Sequence, residues 1–337
     1  MDMMGDVNDT GNEGFFCDET FDFNTLSGAF FIFIFILSLI GNILLLCVLV
    51  VHENLKNVTN LFILNLACSD LIFTITLPFW AVYHLHHWVF GDFACKFETA
   101  AYYAGTYSSV ILMTAMTVDR FLGVVLHSRP INPLTRQRCA IVSCVAAWVI
   151  SIAASVRDAF RAKVLDTWNN ETACELFEHD VSLGYYLQMS LLFIFPFAII
   201  VFCYAAILRT VLQASNRKTC RTVVVVLCIV AAFFICWGPY NIILLIASFY
   251  EPAGCNATEV FYMAYDICRI LAFSHCCMNP LLCMLSQKLR RDLLQLLHCN
   301  KTSKYVPERS NGQSTSVIQN VAYTAKSSAI MLDAPSK

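Results

Sequence analysis

Seven long apolar stretches separated by short polar connections dominate this chain, the first from about Leu26 to Val51 and the last from about Val260 to Leu285. A helix crosses a bilayer with about 20 predominantly apolar residues, so each stretch is long enough to span. We place the spans at 28–51, 58–83, 94–126, 139–160, 183–212, 220–249 and 259–285. All should be helices, because an isolated span in lipid must satisfy its own backbone hydrogen bonds. The expected fold is an all-α membrane protein, a seven-transmembrane helix bundle. Composition agrees: 58% of the 337 residues are hydrophobic and 14% charged, where a soluble domain carries about 25% charged residues.

The net charge of −2 hides a segregation. Residues 1–27 carry Asp2, Asp6, Asp9, Glu13, Asp18, Glu19 and Asp22 and no Lys or Arg. Basic residues gather in alternate connections: Arg129, Arg136 and Arg138; Arg209, Arg217, Lys218 and Arg221; and Lys288, Arg290 and Arg291 after the last span. Positive charge stays on the cytoplasmic side during insertion, so the N-terminus is expected outside, at the plasma membrane, and the C-terminus inside. One outer loop is mixed, with Arg157, Arg161 and Lys163 balanced by Asp166, Glu171, Glu175, Glu178 and Asp180. The acidic start lacks the basic region and apolar core of a cleavable signal peptide, so the first span should be its own insertion signal. Glycosylation triplets at Asn8, Asn170 and Asn256 fall outside, and those at Asn57 and Asn300 inside, where they should stay unmodified.

Four regions follow: an extracellular acidic segment (1–27), the bundle (28–285), a short interfacial amphipathic helix (286–299) and a disordered cytoplasmic tail (300–337). The amphipathic piece places Leu289, Leu293, Leu296 and Leu297 opposite Lys288, Arg290 and Arg291, a pattern that lies in the membrane interface. Cys299 at its end is either a palmitoylation site or an unmodified thiol. The tail is rich in Ser, Thr and Asn and poor in large apolar residues.

Of 17 cysteines, most sit inside spans, where a thiol behaves as a small apolar side chain. Cys17, Cys95, Cys174 and Cys255 lie on the oxidising outer side. Four cysteines allow three connectivities, and spacing does not choose among them. A metal site drawing on His84, His86 and His87 is the rival reading.

Ionisable residues inside spans mark function or a buried pair. Asp70 is mid-span in the second stretch; Asp119-Arg120 ends the third and is either functional or a snorkelling interfacial pair; Arg269 lies in the outer half of the seventh, one turn after Asp266. Pro78, Pro196, Pro239 and Pro280 interrupt four spans, and each removes a backbone donor and bends its helix.

Read in order, these residues resemble a rhodopsin-type (class A) G-protein-coupled receptor: Gly41-Asn42, Leu66 through Asp70, Asp119-Arg120, Trp148, Pro196 with Tyr204, Cys236-Trp237-Gly238-Pro239 and Asn279-Pro280. The resemblance covers about Ser27 to Cys299. Thr76-Leu77-Pro78-Phe79-Trp80, Asp119-Arg120-Phe121-Leu122 running into Val124-Val125, the run ending at Tyr240, and the extra outer pair Cys17 and Cys255 are similar to the chemokine receptor family. Cys268-Arg269 and the run Leu271 to Cys277 resemble its XC (lymphotactin) type.

The resemblance implies disulfides Cys95–Cys174 and Cys17–Cys255. It implies a protein ligand, a chemokine of the XC type, with a CC-type chemokine or other peptide receptor and a non-signalling scavenging receptor as alternatives. It implies a ligand pocket of Trp80, Tyr102, Tyr240, Tyr262, Asp266 and Arg269. An activation core of Asp70, Ser109, Trp237, His275 and Asn279 would hold an allosteric sodium ion or a polar water cluster. Asp119, Arg120 and Tyr204 would couple to an inhibitory-class heterotrimeric G protein, driving chemotaxis and calcium signalling. Arrestin and receptor kinases would act through tail residues such as Ser314, Thr315, Ser316, Ser327 and Ser328, and membrane lipid surrounds the bundle. Three departures stand out. Phe121 replaces the family tyrosine after Arg120, Cys283 replaces the tyrosine that closes the Asn-Pro motif, and residues 1–27 have no tyrosine to sulfate. The start of the sixth span carries no acid, so Arg120 is expected to rest on Asp119 alone, without a cross-helix lock. No enzyme is expected, the outer histidines having only Asp92 nearby; inverted repeats of a transporter are absent, and nothing points to nucleic acid.

Overall fold

The computed structural model describes residues 23–125, 132–167, 171–176, 189–214, 217–250, 252, 254–283 and 287–302. In its described residues, every expected span forms helix. The first is α1 (Phe23–His52) and the second is α2 (Val58–Thr74) with α3 (Leu77–Leu85). The third is α4 (Gly91–Val124) and the fourth α5 (Pro133–Arg161). A single π-helical turn, Ser190–Ile194, leads into α6 (Phe195–Ala214), the fifth. The sixth is α7 (Arg217–Ala247), and the seventh is α8 (Cys255–Phe273) with α9 (His275–Cys283). The chain divides into Met1–Gln295, which holds the bundle, and Leu296–Lys337, described only to the end of α10 (Gln287–Thr302).

Local chemistry sets the ends and breaks. The Asn57 and Asn132 side chains cap α2 and α5, each accepting a backbone N–H at 3.1 Å, and Pro133 begins α5 where its missing donor is not needed. Pro78 likewise sits in the first turn of α3, so the second span breaks ahead of it. At that break the Thr76 hydroxyl donates to Phe73 O at 2.7 Å. The seventh span breaks at Ser274, whose hydroxyl donates to Leu271 O at 2.6 Å. Pro239 and Pro280 stay inside α7 and α9.

The core is the bundle interior. Helix α4 is its axis, packed on α2, α5, α6 and α7. Gly105 of α4 lets the second span come close: a Cβ there would stand 2.8 Å from Phe73 Cβ and 2.9 Å from the Phe73 backbone nitrogen. The Trp148 indole donates to Asn65 Oδ1 at 2.9 Å and ties α5 to α2. The Tyr107 hydroxyl donates to Asp158 at 2.7 Å and ties α4 to α5. Outer faces are apolar where a soluble protein would be polar: Phe33, Val142, Phe202 and Ile235 are 58–67% exposed. Four described segments, Phe23–His52, Val58–Leu85, Pro133–Arg161 and Val226–Ala247, are by themselves long and apolar enough to cross a membrane. The others carry the polar residues of the interior, as α4 and α8 do, or a shorter apolar helix, as α6 does.

One element departs from the all-helical expectation. After α5 the chain forms an antiparallel hairpin, β1 (Ala162–Asp166) with β2 (Thr172–Leu176), in which Val164 faces Cys174. Arg157 and Arg161, expected in this loop, belong instead to the last turns of α5, and Lys163 to β1. The hairpin is pinned to the bundle by the Cys95–Cys174 disulfide and by Trp88 N donating to Thr172 O at 2.8 Å. Trp88, Cys95 and Ala162 form a small second core beneath it, with Phe79 and Tyr83 packed against them.

Cys17, Asn8, Asn170, Arg129 and the tail serines lie outside the described residues, as do the side chains of Asn256 and Cys299. Cys255 is disulfide-bonded, and its expected partner Cys17 is among those not described.

Candidate functional site

Polar side chains line the bundle at three depths. The outermost cluster is built on α3, α4, α7 and α8. Arg269, 7% exposed, pairs with Asp266 one turn earlier at 2.5 Å and also meets His84 Nε2 of α3. Its guanidinium lies 5.1 Å over the Trp80 ring and 5.2 Å over Tyr265, favourable placements for a cation. The Trp80 indole N–H donates to the buried Glu98 at 2.8 Å. Tyr102 packs on Phe73 and Phe273, and the Tyr240 hydroxyl stands 3.3 Å from that of Tyr265. Of the six expected pocket residues, Trp80, Asp266 and Arg269 are joined directly, and Tyr102 and Tyr240 line the same aromatic wall through Trp237. Tyr262 stands apart, 52% exposed, one turn nearer the start of α8.

The middle cluster surrounds Asp70, fully buried on α2. Asn279 of α9 donates to Asp70 Oδ2 at 2.6 Å, and the Ser109 hydroxyl stands 3.5 Å from Oδ1. Ser69 bridges to Ser109 at 2.9 Å and to Gly105 O at 2.8 Å. Asp70, Ser109 and Asn279 are therefore brought together across 209 residues of chain. His275 is not bonded to them. Its Nδ1 meets Ala272 O at 2.8 Å, its Nε2 has no partner, and its ring packs among Phe73, Phe233 and Trp237 at 4.7–5.5 Å. The expectation that His275 joins Asp70, Ser109 and Asn279 in one polar core is thus corrected: beside the break at Ser274 its ring lies in the aromatic layer. Trp237 lies in that layer, its indole N–H buried without a partner.

The inner cluster corrects a second expectation. Arg120 does not rest on Asp119 alone, and Asp119 has a further partner. It accepts two hydrogen bonds from Arg136 of α5, Nε to Oδ1 at 2.7 Å and Nη2 to Oδ2 at 2.6 Å, while Arg120 stands 3.5 Å away. Arg120 keeps this longer ion pair with Asp119 and also hydrogen-bonds Thr59 of α2. The fork of Arg136 on both carboxylate oxygens is the stronger arrangement. Nothing acidic occupies the first turn of α7. Tyr204 is buried with its hydroxyl unpartnered, and Cys283 is fully buried. Phe121 packs on Phe202 of α6 at 5.9 Å.

Sequence reasoning passed over Glu98, Arg136 and Thr59 as site residues and weighed His84 only for a metal site. Glu98 carried a usable signal, a lone acid one helical turn before Tyr102 in an apolar span. Arg136 and Thr59 carried none, since their partners are 17 and 61 residues away.

Apolar-faced helices in seven spans, enclosing a polar axis from the Arg269 cluster to Arg120, define a seven-helix membrane bundle. The sequence pattern of the rhodopsin family of seven-transmembrane receptors matches residues 41–282. Chemokine XC receptor 1 of human is 40% identical over 252 residues, 74% of this chain and 74% of that protein. The mouse receptor of the same name is 40% identical over 283 residues, 81% of this chain and 84% of that protein. Human C-C chemokine receptor type 1 is 32% identical over 280 residues, 79% and 77% of the two chains. The chain belongs to the rhodopsin family of seven-transmembrane receptors and, within it, to the chemokine receptors.

Proposed function

We propose that the chain is a plasma-membrane receptor, N-terminus outside, that binds an XC-type chemokine and activates an inhibitory-class G protein, driving chemotaxis and calcium signalling. The observation that carries the reading is the buried Arg269 cluster in a chain 40% identical to XC receptors. Arginine presents a planar fork that favours a carboxylate or carbonyl on the ligand. The acidic segment 1–27 would speed encounter with a basic ligand by long-range attraction. The ligand's N-terminal strand would then reach Trp80, Tyr102, Tyr240 and Arg269. Tyr262 would meet it at the rim.

Binding that favours an open state shifts the population towards it. In this reading α7 swings about Pro239, with Trp237 at the bend, and Arg120 is released to the G protein, with Tyr204 beside it. The oxygens of Asp70 and Ser109 suit a hard monovalent cation, and Asn279 can turn its amide oxygen to it; a sodium ion there would favour the closed state. Arrestin and receptor kinases would act at the tail. Asn8, Asn170 and Asn256 would carry glycans, Cys299 an acyl chain, and Cys17 would pair with Cys255. A CC-type ligand is the second reading, supported by 32% identity to human C-C chemokine receptor type 1. The test is ligand-stimulated nucleotide exchange on an inhibitory-class G protein with a panel of purified chemokines. A response to lymphotactin alone supports the XC reading; a response only to CC ligands replaces it, and silence to all removes it.

A further inference from the structure

Glu98 is 6% exposed on α4, three residues after the disulfide-bonded Cys95 and one turn before Tyr102, so it faces the outer cluster. Its carboxylate has one hydrogen bond, from the Trp80 indole at 2.8 Å. A carboxylate can accept about four. Among the described residues no basic side chain forms an ion pair with it. Arg269, over the ring of the same tryptophan, is engaged by Asp266 on its own helix and by His84. The outer cluster thus contains a base that brings its own acid, and an acid that no basic side chain pairs among the described residues. A buried carboxyl with acceptor capacity to spare gains its ionised form when a cation comes beside it, so Glu98 offers the outer cluster a place for one.

We propose that Glu98 is the ligand's cation subsite, taking a primary ammonium group on one edge of Trp80 while Arg269 takes an anionic or carbonyl group on the other side of the same indole. This rests on the chemokine-receptor reading and deepens it. An ammonium fits better than a guanidinium. One carboxylate oxygen is already held by the indole N–H, which leaves a point acceptor rather than the open pair that an arginine fork requires. The ammonium is the α-amine of the ligand's N-terminus or a lysine close to it.

The experiment measures nucleotide exchange in membranes carrying wild-type receptor, Glu98→Gln or Glu98→Asp. Each is stimulated with lymphotactin, with its Nα-acetylated form, and with a form whose N-terminal-region lysines are glutamine. Glutamine keeps an oxygen for Trp80 and removes only the charge. Glu98→Gln should lower potency of native ligand about 10–100-fold, with Glu98→Asp intermediate. Acetylation should lower potency on wild type by a similar factor and have little further effect on Glu98→Gln. If the lysine-free ligand, rather than the acetylated one, loses potency on wild type and not on the variant, the ammonium comes from a lysine. Additive losses, or a Glu98→Gln receptor as responsive as wild type, overturn the subsite while leaving the receptor reading intact. A wild-type receptor silent to lymphotactin is tried with whichever chemokine activates it, and silence to every chemokine removes both.

Discussion

The outer and inner ends of the bundle are held by different means. Outside, a disulfide fastens a hairpin to α4, and a continuous aromatic layer from Trp80 to Phe273 and Trp237 packs around a base paired within its own helix. At the inner end the described residues of α4 are tied to α5 by the Arg136–Asp119 fork and to α2 by the Arg120–Thr59 hydrogen bond, with α7 contributing no acid. Partly exposed ion pairs contribute about 0.2–1 kcal/mol, whereas native disulfides in small domains contribute about 2–5 kcal/mol. The end that carries the disulfide is the more firmly fastened, and the end at Arg120 is lightly latched.

Four changes probe that contrast. The largest effect is expected from Arg269→Glu, which sets a second acid beside Asp266. Breaking a buried pair costs about 3–5 kcal/mol, so agonist potency in nucleotide exchange should fall at least about 100-fold, and binding by less. Equal losses in exchange and in displacement of labelled ligand would show the outer end acting only as a binding surface. Next, sodium chloride should weaken agonist binding to wild type about 5-fold or more, within the range of allosteric couplings, and should not do so in Asp70→Asn. Sodium sensitivity surviving in that variant would remove the ion from the Asp70 site. Cys283→Tyr gives the inner end a phenol towards the unpartnered Tyr204. A new hydrogen bond contributes about 0.5–1.5 kcal/mol, and maximal exchange should rise about threefold; unchanged exchange would place the two side chains out of reach. The smallest effect is that of Arg136→Gln, which unforks Asp119. Basal exchange should rise about twofold, and a fall instead would mean that Arg136 itself contacts the G protein.

Much of this was legible in the sequence, because lipid imposes long apolar runs and the runs counted out the helices. Pro78 announced the break in the second span. The break at Ser274 had no such sign, since serine and histidine are tolerated inside helices, and it is this break that carries His275 away from Asp70. The hairpin at 162–176 escaped because five-residue strands of mixed polarity carry little pattern, and their pairing depends on a cysteine on a different element. The Asp70–Asn279 contact spans 209 residues and came from resemblance, not from periodicity. The Arg136–Asp119 fork was invisible because it forms across a loop between two helices.

The near-touching backbones at Gly105 and Phe73 have a mechanical consequence. With no room for even a methyl group between them, the second and third spans meet backbone to backbone at this level, and a Gly105→Ala wedge would have to push them apart well away from any ligand.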